Sequence, residues 1–505
     1  MGVSLLNSNK HIHNSQMRKI LLSLGLVLCL LIAVLLVRTL SFSGASSELP
    51  EMVSVDVDEE RVVQNMSRAI QIQTVSTGDP ETQETAPFAE YVAWTRETYP
   101  EVHEQLGLEL IAEHSMLFTW AGSNTDLKPI LLTAHYDVVP IAPGSEGDWS
   151  YPPFSGTVTG GYVWGRGALD DKSGVIAMLE AVTLLIEQGF TPERTIYLSF
   201  GHDEEVGGNL GAKGITEHLR SQGVQLAWSL DEGSFVTDGV VPGIAKLMAP
   251  INVAEKGWAN YDLVAHGPGG HSSMPEKEVA VDILAQALVK IRQNPMSGGI
   301  DGIGEEMIDG IAKEGGFVLR MLAANKWLFG GLLESQLGKS PSGNAMQRTT
   351  TAPTIVRAGV KVNVITPTAV ATVNFRLHPR DTAADIVAHL TKVIDDERVE
   401  IKLHQDQEPS LASPVSSWEN DAFALLKRVT QQVYGDVVVV PGITMGGTDT
   451  KHYSQIADDS YRFQYMVVNS EDLSGFHGTN ERVAISNLVK GTAAYFLLIQ
   501  QAGIE

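Results

Sequence analysis

The sequence predicts an α/β fold: a mostly parallel sheet flanked by helices, with a smaller domain inserted into it and an apolar helix ahead of both. Three observations carry this. Between residues 107 and 231 short apolar strand segments alternate with amphipathic helical ones, as they do when a parallel sheet is covered on both faces. From Lys256 the order changes to strand, helix, strand, strand, helix, strand. Near the start, residues 20–37 are without interruption apolar or small, and Arg38 closes them.

In chain order, residues 1–19 are polar and basic, with Lys10, Arg18 and Lys19. Residues 20–38 then form a transmembrane signal anchor, since a span needs about 20 apolar residues. The positive flank lies on the N-terminal side, so this end stays cytoplasmic and the bulk of the chain is exported. A cleaved signal peptide is the alternative, because residues 43–47 offer a peptidase small side chains. Residues 39–58 read as a tether.

The first part of the larger domain covers residues 59–255. Helical spacing marks 59–73, 87–99, 173–188 and 212–222; strands are expected within 107–120 and at 129–134, 195–200 and 227–230. The inserted domain covers 256–405 and reads as a split-βαβ, ferredoxin-like unit. Its strands are expected at 260–265, 361–365, 369–376 and 398–404, and its helices at 278–294 and 383–395. Within it, 297–351 is an additional insertion whose apolar part is 317–333. Residues 406–505 return to the larger domain, with helices at 418–434 and 483–501 and a strand at 461–468.

Composition excludes several functions. The 505 residues exceed one ordinary core. The formal charge of −24 argues against nucleic acid as a partner. Cys29, inside the apolar run, is the only cysteine, so the globular part has no disulfide, no thiolate ligand and no thiol nucleophile. A bound metal must use His, Asp and Glu, a set that suits zinc, with manganese or cobalt as other possibilities.

The chemistry-bearing residues are His135 and Asp137, Asp170 and Asp171, Glu204 and Glu205, Asp231, and His477. His135, Glu204, Glu205 and Asp231 each follow a predicted strand, and sheets of this kind bind ligands at the carboxyl ends of their strands. Residues two apart in extended backbone point the same way, so His135 and Asp137 leave a strand end together. Asp170 and Asp171 stand at the mouth of a helix. No Walker pattern is present, and no GxGxxG opens a helix after a strand.

The pieces AHYDVVP, WGRGALDDKSG, GHDEEVGG, GPGGHSSMP and FHGTNE, in this order, resemble the co-catalytic di-zinc metallopeptidase family. That family includes aminoacylase, succinyl-diaminopimelate desuccinylase and carboxypeptidase S. The likeness runs from about residue 60 to about residue 500 and is strongest to carboxypeptidase S and its N-acyl-amino-acid hydrolase relatives. It implies two zinc ions bridged by Asp170, with His135 and Asp231 completing one site and Glu205 and His477 the other. Glu204 is then the general base, and Asp137 supports His135 from behind. The resemblance makes 256–405 a lid and dimerisation domain, in which His271 polarises the scissile carbonyl, in many relatives from the partner subunit. Asn363 and Arg376 fit the positions that hold a substrate carboxylate. Structural alternatives stand beside these: His271 as a helix cap, Asn363 as a strand-end pin, Arg376 as an ion pair, and 317–333 as lid core rather than a surface for a membrane or an acyl tail.

The resulting expectation is a membrane-anchored zinc hydrolase that cleaves an amide beside a free carboxylate. Its leading version removes C-terminal residues from small peptides, as carboxypeptidase S does; its alternative hydrolyses or forms N-acyl, including fatty-acyl, amino acids. A catalytically inactive binding protein on the same fold is the reading from another class. The single sequon at Asn65 and the lack of cysteine pairs favour a bacterial periplasm over a eukaryotic lumen. A homodimer through the lid is the expected assembly.

Overall fold

The computed structural model describes residues 3–42, 48–240 and 244–504. The proposed peptidase-sensitive segment, residues 43–47, lies outside them. A helix over Val3–Ser41 contains the apolar span Met17–Ser41.

The large sheet has eight strands. Its parallel centre joins Ile196–Gly201, Ile130–His135, Leu226–Thr237 and Ala457–Val468 side by side. Ile130–His135 and Ile196–Gly201 are buried at every position, as expected of strands covered on both faces. The helices Lys172–Glu187 and Ile485–Ala502 pack together and are buried along almost their whole length. Asp171 caps the first of these, accepting from the Gly174 N–H at 3.1 Å. In Glu59–Gln71, Val62, Met66, Ala69 and Ile70 fall on one helical face and are the buried ones, and Asp58 caps the helix by accepting from the Arg61 N–H. Val55 and Val57, in the expected tether, pack against this core.

The chain leaves the large sheet at Glu255 and enters the smaller one at Gly257. Gly257 is needed here for close approach: a Cβ would lie 2.2 Å from the Ser410 carbonyl oxygen on the returning segment. The smaller sheet is antiparallel, in the order Thr350–Ala358, Thr368–Leu377, Gly257–His266, Val399–Leu403. Ala259, Tyr261, Leu263 and Ala265 alternate inward against the helices Ala280–Gln293 and Ala383–Ile394.

One strand of this domain differs from expectation. The second strand is Thr350–Ala358, not 361–365, of which only Val364–Ile365 pairs, and then with Gly270–His271. Pro353 obscured it in the sequence. The structure tolerates this proline because the strand lies at a sheet edge and its register shifts between Pro353 and Ile355. The insertion is helical, with helices at Gly302–Glu314, Phe317–Ala324, Lys326–Leu337 and Pro341–Gln347.

Candidate metal centre

Strand ends and loop turns bring the sequence-predicted acids and histidines of the larger domain together. His135 ends its strand buried. Its Nδ1 donates to the Asp137 carbonyl at 3.1 Å, which fixes the ring so that Nε2 faces Asp170 Oδ1 at 3.0 Å. The other oxygen, Asp170 Oδ2, lies 3.0 Å from His477 Nε2. Asp170 thus gives one carboxylate oxygen to each imidazole. Glu205 joins the His477 side, with Oε2 at 3.2 Å from Nε2. Candidate ligand atoms of Asp170, Glu205 and His477 all lie within 4.8 Å of one another.

On the His135 side the third acid is Glu232: His135, Asp170 and Glu232 also fall within 4.8 Å. Asp231, the acid expected here, is its neighbour in the chain; its carboxylate accepts from the Thr450 hydroxyl at 2.7 Å and from the Glu232 N–H at 2.8 Å. Asp231 and Glu232 are consecutive in the strand Leu226–Thr237, and successive side chains of a strand leave on opposite faces. Asp231 still lies near enough to His135 for that charge to act on its carboxylate.

Asp137 supports more than His135. Its Oδ1 lies 3.4 Å from His135 Nδ1, and its two oxygens accept the backbone N–H groups of Glu204 and Glu205 at 3.1 and 3.2 Å. One buried carboxylate therefore fixes a histidine and the turn that carries both glutamates. Within that turn Glu205 faces His477, whereas Glu204 Oε2 lies 4.0 Å from His135 Nε2 and outside both three-residue groups.

A second brace was not read from the sequence. Buried Glu481 accepts the backbone N–H groups of Gly167, Leu169 and Asp170 at 3.0, 2.8 and 3.2 Å. It also pairs with Arg166 Nη1 at 2.7 Å. Arg166 donates in turn to the Gly478 carbonyl at 2.8 Å, beside His477, whose φ of 52° is one that non-glycine residues rarely adopt. The Asp170 loop and the His477 loop are tied by one ion pair. Both partners stand inside the motif pieces WGRGALDDKSG and FHGTNE. Likewise, the signal for Glu232 was its adjacency to Asp231 at a strand end.

The electrostatics fit bound cations. Burial first, and then the neighbouring acids, push the Glu204 and Glu232 carboxyls well above their usual range; Asp231 and Glu205 are raised chiefly by burial. Hydrogen bonds that His477 donates to Asp170 and Glu205 raise its imidazole to about 10. Burial opposes protonation of His135, but Asp137 and Asp170 carry it well above the ordinary imidazole value. Protons gather where positive charge is wanted. Glu205 Oε1 is buried with no hydrogen-bond partner. Two imidazoles and three carboxylates without a thiol make a donor set that suits zinc or manganese.

The lid residues are separate from this cluster. His271 is exposed, and its Nδ1 bonds the Ser273 hydroxyl at 2.8 Å. It caps no helix, since the next one begins at Ala280 with Val279 as its cap. Asn363 is exposed, and its carbonyl accepts the Ser272 N–H at 3.2 Å, so its backbone pins the strand that carries His271. Arg376 is exposed and forms no ion pair among the described residues. No hydrogen bond or ion pair among the described residues joins these three to the metal cluster.

Residues 131–501 match the profile of peptidase family M20/M25/M40. The chain is 39% identical over 489 residues to "N-fatty-acyl-amino acid synthase/hydrolase PM20D1" of Xenopus tropicalis, covering 95% of this chain and 94% of that protein. It is also 39% identical to "Probable carboxypeptidase S-like 2" of Dictyostelium discoideum, covering 93% and 92% of the two chains. Among solved structures, the M20 family metallo-carboxypeptidase Sso-CP2 of Sulfolobus solfataricus superposes with a TM-score of 0.63 at 18% identity, over 88% of this chain and 99% of that one. At that identity the structural match speaks for the fold.

Proposed function

The chain belongs to peptidase family M20/M25/M40 and is a metallohydrolase, and from that premise we propose that it hydrolyses, and by reversal forms, the amide between a fatty acid and an amino acid. The observation that carries the chemistry is Asp170, which shares its two oxygens between His135 and His477 while Glu204 is left outside both groups. Two zinc ions, one held by His135, Asp170 and Glu232 and the other by Asp170, Glu205 and His477, would activate water and polarise the carbonyl when bound.

Every other step falls to the chain's own side chains. Glu204 takes the proton of the attacking water and returns it to the nitrogen of the leaving amine. Its raised pKa suits both roles, since a carboxyl poised nearer neutrality can accept a proton and release it again. Asp137 keeps the Glu204 turn and the His135 ring in place. His271 donates to the carbonyl oxygen as negative charge develops on it. Arg376 grips the free carboxylate with two parallel N–H groups, and Asn363 adds a further polar contact. The exposed lid trio completes the site when the lid closes or a second chain supplies it.

The similarity to an N-fatty-acyl-amino acid enzyme supports the acyl reading; the similarity to a carboxypeptidase S-like protein supports a second, removal of C-terminal residues from small peptides. Metal-loaded full-length protein assayed on a fatty-acyl amino acid and on a benzyloxycarbonyl dipeptide separates the two. The acyl reading expects the higher kcat/KM on the fatty-acyl substrate, and a clear preference for the dipeptide overturns it. We read Met17–Ser41 as a membrane anchor, with the catalytic domain on the non-cytoplasmic side.

A further inference from the structure

We propose that the insertion helices Phe317–Ala324 and Lys326–Leu337 form a platform that lies on the lipid bilayer beside the N-terminal span, with Trp327 at the hydrocarbon boundary. The proposal rests on the anchor reading of Met17–Ser41 and adds a second membrane contact to it.

The span is not a free tether. Leu31, Leu35 and Thr39 recur every four residues and are its covered positions, while its other faces are exposed. What covers them is the helix Phe317–Ala324 and the turn after it. Asn325 Nδ2 donates to Thr39 Oγ1 at 3.3 Å and to the Leu35 carbonyl at 3.4 Å. Arg38 Nε donates to the Ala324 carbonyl at 3.0 Å. Phe42, just past the span, packs into the insertion's own small core, beneath Lys313.

These contacts set a depth. The 25-residue span is about 37 Å long, some 7 Å more than a hydrocarbon core of about 30 Å. Arg18 and Lys19 take up part of that excess among the headgroups on the N-terminal side, so the far edge of the hydrocarbon falls near Thr39. Asn325 touches this stretch, and Trp327 follows two residues later.

The face presented there is apolar. Phe317 and Trp327 are 50% and 59% exposed, with Val318, Leu328 and Leu332 exposed beside them. Had 317–333 been lid core, these large side chains would be inside; only Ala323, Ala324, Asn325 and Leu333 are buried. The charge pattern agrees. In a chain of net charge −24, residues 315–333 contain Arg320 and Lys326 but no Asp or Glu. Lys326 is held away from the face by Asp309 and Glu305 at 2.7 and 2.5 Å. Exposed tryptophan and aliphatic side chains without acids are the composition of an interfacial surface.

The test uses full-length protein reconstituted into phosphatidylcholine–phosphatidylglycerol vesicles whose acyl chains carry bromine near the headgroup. Co-flotation with the vesicles checks the anchor. Bromolipid should quench a share of the emission of the eight tryptophans, and Trp327→Phe should abolish that share. A Val318→Cys, Cys29→Ser protein with an environment-sensitive label on Val318's position should shift to the blue on reconstitution. Protein that floats but shows equal quenching with and without Trp327 overturns the platform and leaves the anchor standing. Trp327 shielded from aqueous acrylamide yet untouched by bromolipid means that a second copy covers the face, which overturns it too. Protein that does not float overturns both readings.

Discussion

In the larger domain His135, Asp170, Glu205 and His477 are held from behind. Asp137 holds His135 and the Glu204–Glu205 turn, and Glu481 with Arg166 holds the Asp170 and His477 loops. In the lid, His271 turns to its own neighbour Ser273, and Asn363 and Arg376 stand in solvent. On the proposed reading, one chain carries a preorganised centre for the metal and the proton, and a substrate-gripping half that has yet to be brought to it. Affinity for the metal should depend on the first region alone, and turnover on both.

The sharpest way to break this division is Glu204→Gln. Turnover should fall about a thousandfold, the scale of a general base, with bound metal unchanged by elemental analysis. Substantial activity in the variant would move the proton shuttle out of the larger domain. Next in size is His271→Ala, expected to lower kcat about a hundredfold, again with full metal content. Mixing this protein with Glu204→Gln protein sharpens the comparison. If the lid serves a neighbouring chain, the mixture recovers activity that neither variant has alone. If each lid closes on its own domain, nothing returns, and the homodimer expectation loses its functional basis.

The two regions also differed in how much the sequence disclosed. Acids and histidines at strand ends are visible to pattern reading because a parallel sheet sends its ligands to one edge; His135 and Glu205 follow that logic, and Asp170 and His477 join them from loops. The nearness of Glu232 to His135 and Asp170 was not legible, since it arises at the point where pairing with Ala457–Val468 becomes irregular. Glu481 was equally hidden. Its partners are three backbone N–H groups and an arginine about 315 residues away, and backbone donors leave no mark in a sequence. In the lid, the strand Thr350–Ala358 escaped because proline argues against a strand unless its place at an edge is known.

Glu481→Gln measures the brace directly. It keeps the shape but weakens the grip on the Asp170 loop and leaves Arg166 under-compensated in a buried place. Metal affinity should fall about 10- to 100-fold, by competition with a chelator. Activity should return in excess metal, which His271→Ala activity should not. If excess metal rescues neither, the brace sets geometry that cations alone cannot restore.

The smallest expected effect is a pH dependence of stability confined to the metal half. His477 titrates at about 10 in the folded chain against an ordinary 6.5, so its stabilising contribution is complete below 6.5 and is lost as pH rises through 10. The carboxyls of Glu204 and Glu232, raised well above their usual range by burial, have the same sign: what they contribute is lost as pH rises. Asp170 is shifted the other way, and its contribution is lost only in acid, outside this window. Chelated protein should therefore melt a few degrees lower at pH 9.5 than at pH 6.5, a modest change because solvent screens the half-exposed His477 imidazole. Adding zinc should raise Tm more at the higher pH, where fewer protons compete for the same ligands. His477→Ala should flatten the chelated profile, and His271→Ala should leave it unchanged. A slope that follows His271 instead would mean that the lid is already part of the charged cluster in solution.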